Sequence, residues 1–571
     1  MRMVNNLHAK PPKVISDLRD LVDSSAAAFG DKVLYVYNED QTQKTYTYRD
    51  LQTNTNAIGT ALTGLGLSGR HIAVIGENHP LYVTAYLATV NADSVIVPLD
   101  KELAEEQITN FLNLAEIEAI FYTGSLNKKI QNVTAGAPGV HYLFPIHPDE
   151  DTADARVIPV SELIARGKAA IENGDRSYLD MHPDMDKACA ILFTSGTTGT
   201  SKGVMLSLKN LTAATNASCQ SMSYDDENRF VSVLPPHHTY EMTCGELAII
   251  NLGSEIFIND SLKRVLKNFA SYKPNALALV PLFVETMHKR IWDEIRKQGL
   301  ERKVRAAMKA NALLLDLGID IRHKLFGRIT DAFGGNLKSI VCGGAPISPA
   351  IIKDFYQFGI TVLEGYGITE CAPLVAVNHP GHVRFHSVGT LVCGCEVRID
   401  YDEGQPTGEI QVKGDNVMLG YYKNPEATAA VFTEDGYFRT GDIGYMDKDG
   451  YLFITGRKKN VIILSNGKNV FPEELEEYLT KIPFVNESVV VGRRQENGEG
   501  SEVAITAIVV PNMEYETLVG KTSDEVYQAV RTAVTAINKK LPSFKHITEI
   551  EIRYEPFEKN SSQKIKRYII K

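Results

Sequence analysis

Short apolar runs that alternate with helical repeats constrain this chain more than any other feature. Leu51, Ile58 and Leu62 share one face of a helix predicted over 48–65, and the apolar run 71–75 follows it as a strand. The order then repeats as helix 81–90, strand 94–98, helix 102–114 and strand 119–122. Further strands are predicted at 188–193, 230–234, 276–280 and 339–342. A charged, helix-rich stretch without turn signals is expected over 285–328. Strands that alternate with helices build βαβ units, in which helices cover both faces of parallel sheets.

The last part of the chain has another character. A helix starts at Pro472, with proline suited to the first turn and Leu475, Leu479 and Ile482 on one face. Val503, Ile505, Ala507 and Val509 alternate as a strand. Thr522 and Glu525 form a capping box ahead of Val526, Val530, Val534, Ile537 and Leu541, and Ile550, Ile552 and Tyr554 alternate again. The expected fold is therefore α/β: a large N-terminal domain with parallel-type sheets covered by helices, plus a small α+β C-terminal domain. The boundary is placed at the charged, glycine-led link Gly456-Arg-Lys-Lys459. This gives a domain over 1–455, a link over 456–459 and a domain over 460–571.

Composition narrows the partners. With 60 Lys and Arg against 70 Asp and Glu in 571 residues, the chain is acidic, which argues against a nucleic-acid binder. An anionic small ligand needs only a local positive site. The seven cysteines are scattered, odd in number and without a C-x-x-C pair, which fits a reducing compartment rather than a disulfide framework or zinc site. Cys393 and Cys395 read as ordinary interior thiols. The first residues lack a signal-peptide core, and the longest apolar run, 276–284, is too short to span a bilayer. A cytoplasmic protein is expected, with no transmembrane segment and with peripheral membrane association left open.

Three short patterns mislead. Gly64-Leu-Gly-Leu-Ser-Gly69 matches G-x-G-x-x-G but follows a helix and precedes a strand, the reverse of the order that points a helix N-terminus at a pyrophosphate. Gly199-Thr-Ser-Lys-Gly203 matches G-x-S-x-G, yet a hydroxyl-rich loop intervenes where the nucleophile elbow needs a strand. That loop also misses the Walker pattern, since Ser201 stands before Lys202. What 191–203 does offer is a strand running into glycines, hydroxyls and one lysine. Glycines let backbone N–H groups wrap an anion, hydroxyls donate to phosphate oxygens, and lysine adds a point charge.

The string Thr194-Ser-Gly-Thr-Thr-Gly-Thr-Ser-Lys202 resembles the signature of the adenylate-forming superfamily, the AMP-dependent synthetases and ligases. Other strings follow in that family's order. Leu234-Pro-Pro-His-His-Thr-Tyr-Glu241 is similar to its second motif, which implies His238 beside the carboxylate substrate. Gly343-Gly-Ala-Pro346 and Glu364-Gly-Tyr-Gly-Ile-Thr-Glu370 resemble the adenine pocket. By that resemblance Gly344, Ala345, Pro346, Glu364, Gly365 and Gly367 line the nucleotide and Tyr366 stacks on the base. Thr369 meets the phosphate, and Glu370 with Thr194 holds Mg²⁺. Ser195, Gly196, Thr197, Thr198 and Lys202 hold the phosphates.

Met418-Leu-Gly-Tyr-Tyr-Lys-Asn-Pro-Glu426 matches the family's linking motif, and Tyr437-Phe-Arg-Thr-Gly-Asp442 implies that Asp442 accepts the ribose hydroxyls. The string 456–474 resembles its hinge motif. Arg457 would then contact ribose or phosphate and Lys459 would be the pivot of a mobile C-terminal domain, with Gly467 and Lys468 on the coenzyme A channel. Ser561-Ser-Gln-Lys-Ile-Lys-Arg567 places Lys564 at the catalytic lysine, although Gln563 stands where the family often has glycine.

The resemblance implies two half-reactions: a carboxylate attacks the α-phosphorus of ATP, giving acyl-AMP and pyrophosphate, and a thiol then takes the acyl group. Within the family the chain looks most like the long-chain fatty acid–CoA ligases, with an apolar pocket expected over 280–287. Leu282 where relatives often have arginine, and His237 beside His238, are departures. An acyl carrier protein as thiol partner, another apolar carboxylic acid as substrate, and a silent binding protein on the same fold are the alternatives.

Overall fold

The computed structural model describes residues 12–39, 41–147, 154–194, 201–401, 403–464, 468–496, 501–559 and 565–570. The chain divides into two compact units, Met1–Glu396 with Val412–Phe438, and Val397–Gln411 with Arg439–Lys571.

Two large sheets make up the N-terminal unit. One has the strand order Gly420–Tyr421, Lys202–Ser207, Ala188–Thr194, Val95–Leu99, His71–Ile75, Ile117–Tyr122, Tyr142–Pro145. From Ala188–Thr194 to Tyr142–Pro145 every neighbouring pair is parallel. The two strands at the other end run antiparallel. The second sheet has a parallel centre of Thr361–Gly367, Ser339–Cys342, Ala276–Leu279, Arg229–Ser232, Glu255–Ile258 and Val33–Glu39, with antiparallel strands added at both edges. The central strands are buried and carry continuous apolar runs, as strands covered on both faces require.

Local chemistry starts and stops the helices. Helix Tyr48–Gly64 opens on a capping box in which Thr47 Oγ1 accepts from the Asp50 amide and the Asp50 carboxylate accepts from the Thr47 amide. It ends at the Gly64–Gly69 string, where Gly66 and Gly69 both adopt φ +76° with open space around them. Those glycines turn the chain from helix to strand, which is why the string is no dinucleotide fingerprint. The stretch 285–328 contains turns after all: helices Pro281–Lys297, Glu301–Asp316 and Arg322–Asp331 are separated at Gly299 and Gly318, both with positive φ.

Helix Pro281–Lys297 turns Val284 and Met287 into a core shared with Leu277, Leu279, Ile340 and Phe355, while Leu282 points to solvent. These side chains pack as core residues, and a pocket over 280–287 is left as an expectation.

The C-terminal unit pairs Phe438–Met446 with Leu452–Arg457 in antiparallel register. Beyond them, Val485–Glu496, Ser501–Pro511 and Glu549–Ile552 form a three-stranded sheet, packed by helices Pro472–Thr480 and Ser523–Asn538 around Leu475, Leu479, Val509, Val530 and Val534. The second helix opens on the expected Thr522–Glu525 capping box.

All seven cysteines are free thiols. Cys395 is buried but Cys393 is exposed, which corrects the reading of both as interior. Among the described residues no helix is long and apolar enough to cross a membrane.

Candidate active site

Parallel strands end on a common edge of their sheet, and in open α/β sheets ligands bind outside those carboxyl ends. Three of the recognised strings lie on that edge of the second sheet. The 234–241 string follows Arg229–Ser232, Gly343-Gly-Ala-Pro346 follows Ser339–Cys342, and the 364–370 string completes Thr361–Gly367 and runs on to the short 3-10 turn Thr369–Cys371. The Tyr240 hydroxyl donates to the Val341 carbonyl at 3.0 Å, which ties the first string to the strand that carries the second.

Gly344, Ala345 and Pro346 are exposed at the strand end, whereas Tyr366 is buried. The backbone of Glu364 pairs across from Cys342 and accepts from Asn378. A side chain at Gly367 is excluded, because a Cβ would lie 2.3 Å from the Pro373 carbonyl oxygen, so the turn that presents Thr369 and Glu370 needs glycine there.

A second group comes from the first sheet. Thr194 ends its strand opposite Lys202, and its hydroxyl donates to the Lys202 carbonyl at 3.4 Å. Lys202 is thus the first residue of a return strand and not the end of a loop, since Val204 and Leu206 alternate into the core. Ser195, Gly196, Thr197 and Thr198 lie outside the described residues, as do Gly467 and Lys564. The Lys202 ammonium sits 4.5 Å from the centre of the Tyr421 ring, and the Tyr421 hydroxyl donates to Glu370 Oε1 at 3.0 Å. Burial and the Glu370 charge raise the Tyr421 phenol far above its usual range, so it stays a donor. The Met418 amide holds the Glu370 backbone carbonyl at 2.8 Å. Thr194, Lys202, Tyr421 and Glu370 therefore form one connected set at the junction of both sheets. Tyr421 was missed in the sequence, where its string carried only a linking role.

His238 begins the turn into the helical segment Tyr240–Leu247, and its carbonyl accepts from Met242. His237 is buried, its ring 4.1 Å from that of His238 and its Nε2 3.7 Å from the Asp100 carboxylate at the end of Val95–Leu99. Burial lowers its pKa, and Asp100 opposes that in part. Tyr240–Leu247 is a π-helix, whose i to i+5 repeat sets Glu241 and Glu246 one above the other. Both are buried. Ser232 donates to Glu241 at 2.5 Å and Tyr35 to Glu246 at 2.8 Å. Burial raises both carboxyls, Glu246 to about 7, so the pair keeps a proton near neutrality.

Glu39, His79 and His147 make a separate cluster, with Glu39 Oε1 3.0 Å from His147 Nε2 and 3.7 Å from His79 Nε2. The Leu81 amide donates to His79 Nδ1, so the neutral ring carries its proton on Nε2, facing the carboxylate. Lys44 pairs with the other Glu39 oxygen. In that tautomer the His79 nitrogen facing Glu39 carries a proton and has no lone pair to offer a cation.

In the C-terminal unit Asp442 and Arg457 stand opposite in the ladder and join through Arg457 Nε to Asp442 Oδ1 at 2.9 Å. Asp442 is buried, and its amide donates to the Thr440 hydroxyl. Lys459 lies two residues on, its ammonium lowered to about 8 by burial and by Arg457. Lys458 pairs with Glu409 at 2.8 Å, and the Lys468 ammonium lies 4.5 Å over the Phe544 ring.

The profile of the AMP-binding enzyme family matches residues 22–422, and that of the AMP-binding enzyme C-terminal domain matches 459–571. The chain belongs to this family of adenylate-forming enzymes. It is 26% identical to "Fatty acyl-CoA synthetase A" of Dictyostelium discoideum, over 94% of this chain and 84% of that protein. Similarity at 27% identity extends to "Long-chain-fatty-acid--[acyl-carrier-protein] ligase AEE15, chloroplastic" of Arabidopsis thaliana, over 90% and 79%. The crystal structure of ATP-bound MatB from Rhodopseudomonas palustris superposes with a TM-score of 0.75 at 23% identity, covering 97% of this chain and 98% of that one, and shares its fold.

Proposed function

We propose that this protein activates a fatty acid with ATP to acyl-AMP and then transfers the acyl group to coenzyme A, releasing AMP and pyrophosphate. The observation that carries this reading is the connected set Thr194, Lys202, Tyr421 and Glu370 at the strand ends, in a chain of the AMP-binding enzyme family. It supports a phosphate site built from a hydroxyl, a lysine and a carboxylate, where positioning and charge neutralisation carry the chemistry without a protein nucleophile.

Glu370 and Thr194 offer the hard oxygen donors that Mg²⁺ prefers, and Tyr421 orients the carboxylate. An ion held by these two residues would neutralise phosphate charge. In this scheme Lys202 and 195–198 hold the phosphates, 344–346 and Tyr366 take the adenine, Asp442 and Arg457 the ribose, and His238 lies by the acid. Lys564 contacts the carboxylate and α-phosphate during adenylation. Gly467 and Lys468 serve the thiol in the second half-reaction, with 456–459 as hinge and Lys459 as pivot.

The test is a panel of carboxylic acids read by pyrophosphate release, each with coenzyme A and with an acyl carrier protein as acceptor. Release with long- or medium-chain fatty acids and coenzyme A thioester as product is the expected result. Transfer only to the carrier protein favours the second acceptor, the one in the name of the Arabidopsis relative. No release with any acid overturns the proposal. Lys564→Ala should lose adenylation and still convert supplied acyl-AMP with coenzyme A.

A further inference from the structure

Glu241 and Glu246 take no part in the chemistry assigned above, yet each is only 1% exposed and both stand on the helical segment that follows His238. Among the described residues every donor that reaches them is neutral: the Ser232 hydroxyl and Leu234 amide at Glu241, the Tyr35 hydroxyl at Glu246. Two buried carboxyls that meet no cation cannot both stay ionised. The Ser232 hydroxyl faces Glu246 as well as Glu241. One hydroxyl hydrogen cannot serve two carboxylates, so a second hydrogen, on one of the carboxyls, completes the set. Glu241 Oε2 lies over Gly245, where a Cβ would stand 3.0 Å from it, so the carboxyl extends across the turn that bears Glu246.

The same bonds close the stretch 232–241 on itself. Ser232 ends its strand, and Glu241 reaches back to it. Asn78, just past strand His71–Ile75, donates to Ser232 Oγ at 2.7 Å and to the Leu234 carbonyl at 2.8 Å. His237 and His238 stand inside this closure. The other titratable groups around the pair stay neutral. Burial raises the phenols of Tyr35, Tyr46, Tyr48 and Tyr240 far above their usual range and the Cys244 thiol to about 12.

We infer that Glu241 and Glu246 are positioning residues for adenylation: a proton shared by their carboxyls keeps the stretch 232–241 closed and His238 in place beside the acid. Loss of that proton sets two buried anions against each other and opens the closure. Because burial raises both carboxyls, the closure holds through neutrality and is lost as pH rises into the alkaline range. The place of His238 beside the acid rests on the function proposed above; the proton does not.

Infrared spectra of the full-length protein at pH 7, where exposed carboxyls are ionised, should show a carboxylic-acid C=O band. Glu241→Gln/Glu246→Gln should weaken that band. In the parent, kcat/KM for the acid, read by pyrophosphate release, should fall roughly tenfold between pH 7 and pH 9.5, through KM for the acid and not KM for ATP. The double variant, neutral at every pH, should fall by no more than about threefold. Glu241→Leu, which cannot reach back to Ser232, should raise KM for the acid already at pH 7, and Glu241→Gln should recover most of that loss. Thermal midpoints report whether each variant is folded. A band of parental strength in the double variant, or the same pH ratio in parent and double variant, overturns the inference. No release with any acid at pH 7 overturns instead the function proposed above and with it the part given to His238, while the infrared band still reports the proton.

Discussion

Tyr421 shows how much one side chain can join. Its ring faces the Lys202 ammonium and its hydroxyl holds Glu370, so a single residue stands between a cation and a carboxylate, the pair to which we assign the phosphates and Mg²⁺. Tyr421→Phe keeps the ring and removes the donor. A hydrogen bond to a charged group contributes roughly 1.5–3 kcal/mol, which predicts a loss of about 10- to 100-fold in kcat/KM for adenylation. Tyr421→Leu, which also removes the cation–π contact, should lose more. Pyrophosphate-release kinetics decide; a Phe variant at parental rate would show that the Glu370 carboxylate is positioned by other means. Thr194, Lys202, Glu370 and Asp442 were marked as candidates by the order of the family's strings, as what that resemblance implies. Tyr421 was not, since an aromatic residue in a strand carries no such signal until its neighbours are known.

Elements with a strict period were read correctly from the sequence. Helix Tyr48–Gly64 and strand His71–Ile75 lie within a residue of where apolar spacing placed them, and helix Ser523–Asn538 starts at its expected cap and ends three residues short of Leu541. Where the period is broken the sequence was opaque. Lys202–Ser207 hides its alternation behind a glycine- and hydroxyl-rich string, and the π-helix Tyr240–Leu247 follows no common repeat. That π-helix has a measurable consequence, because Glu241, Ser232 and Tyr35 surround the Glu246 carboxyl. Its folded pKa of about 7 lies above the ordinary carboxyl value of 4.5, so the folded state holds a proton that the unfolded chain releases. The stabilisation is complete below pH 4.5 and is lost as pH rises through about 7. Urea unfolding at pH 5 and pH 8 should show a drop on the order of 1–3 kcal/mol attributable to this pair. Glu246→Gln should shrink that drop; an unchanged drop would place the proton elsewhere.

At the scale of the molecule, an acidic chain handles anionic ligands by local arrangement. Cations stand singly at Lys202 on a strand end of the N-terminal unit, consecutively at Arg457, Lys458 and Lys459 in the C-terminal unit, and in number over the three helices between Pro281 and Asp331. The order of the strings made the family legible, while the division into units was only partly so. Residues 397–411 and 439–455 pack with the C-terminal unit although apolar period alone does not distinguish them from what precedes them. The exposed thiol of Cys393 lies just ahead of Val397, where the chain first enters that unit. Burial pushes the thiols of Cys219, Cys244 and Cys395 up to about 12 and that of Cys189 higher still, which leaves them as poor nucleophiles. A maleimide dye should therefore attach once per native chain, by intact-mass measurement, and Cys393→Ser should abolish the labelling. The protein thus brings its own reporter position, four residues ahead of the point where the chain first enters the C-terminal unit, which a fluorophore could mark without any engineered cysteine.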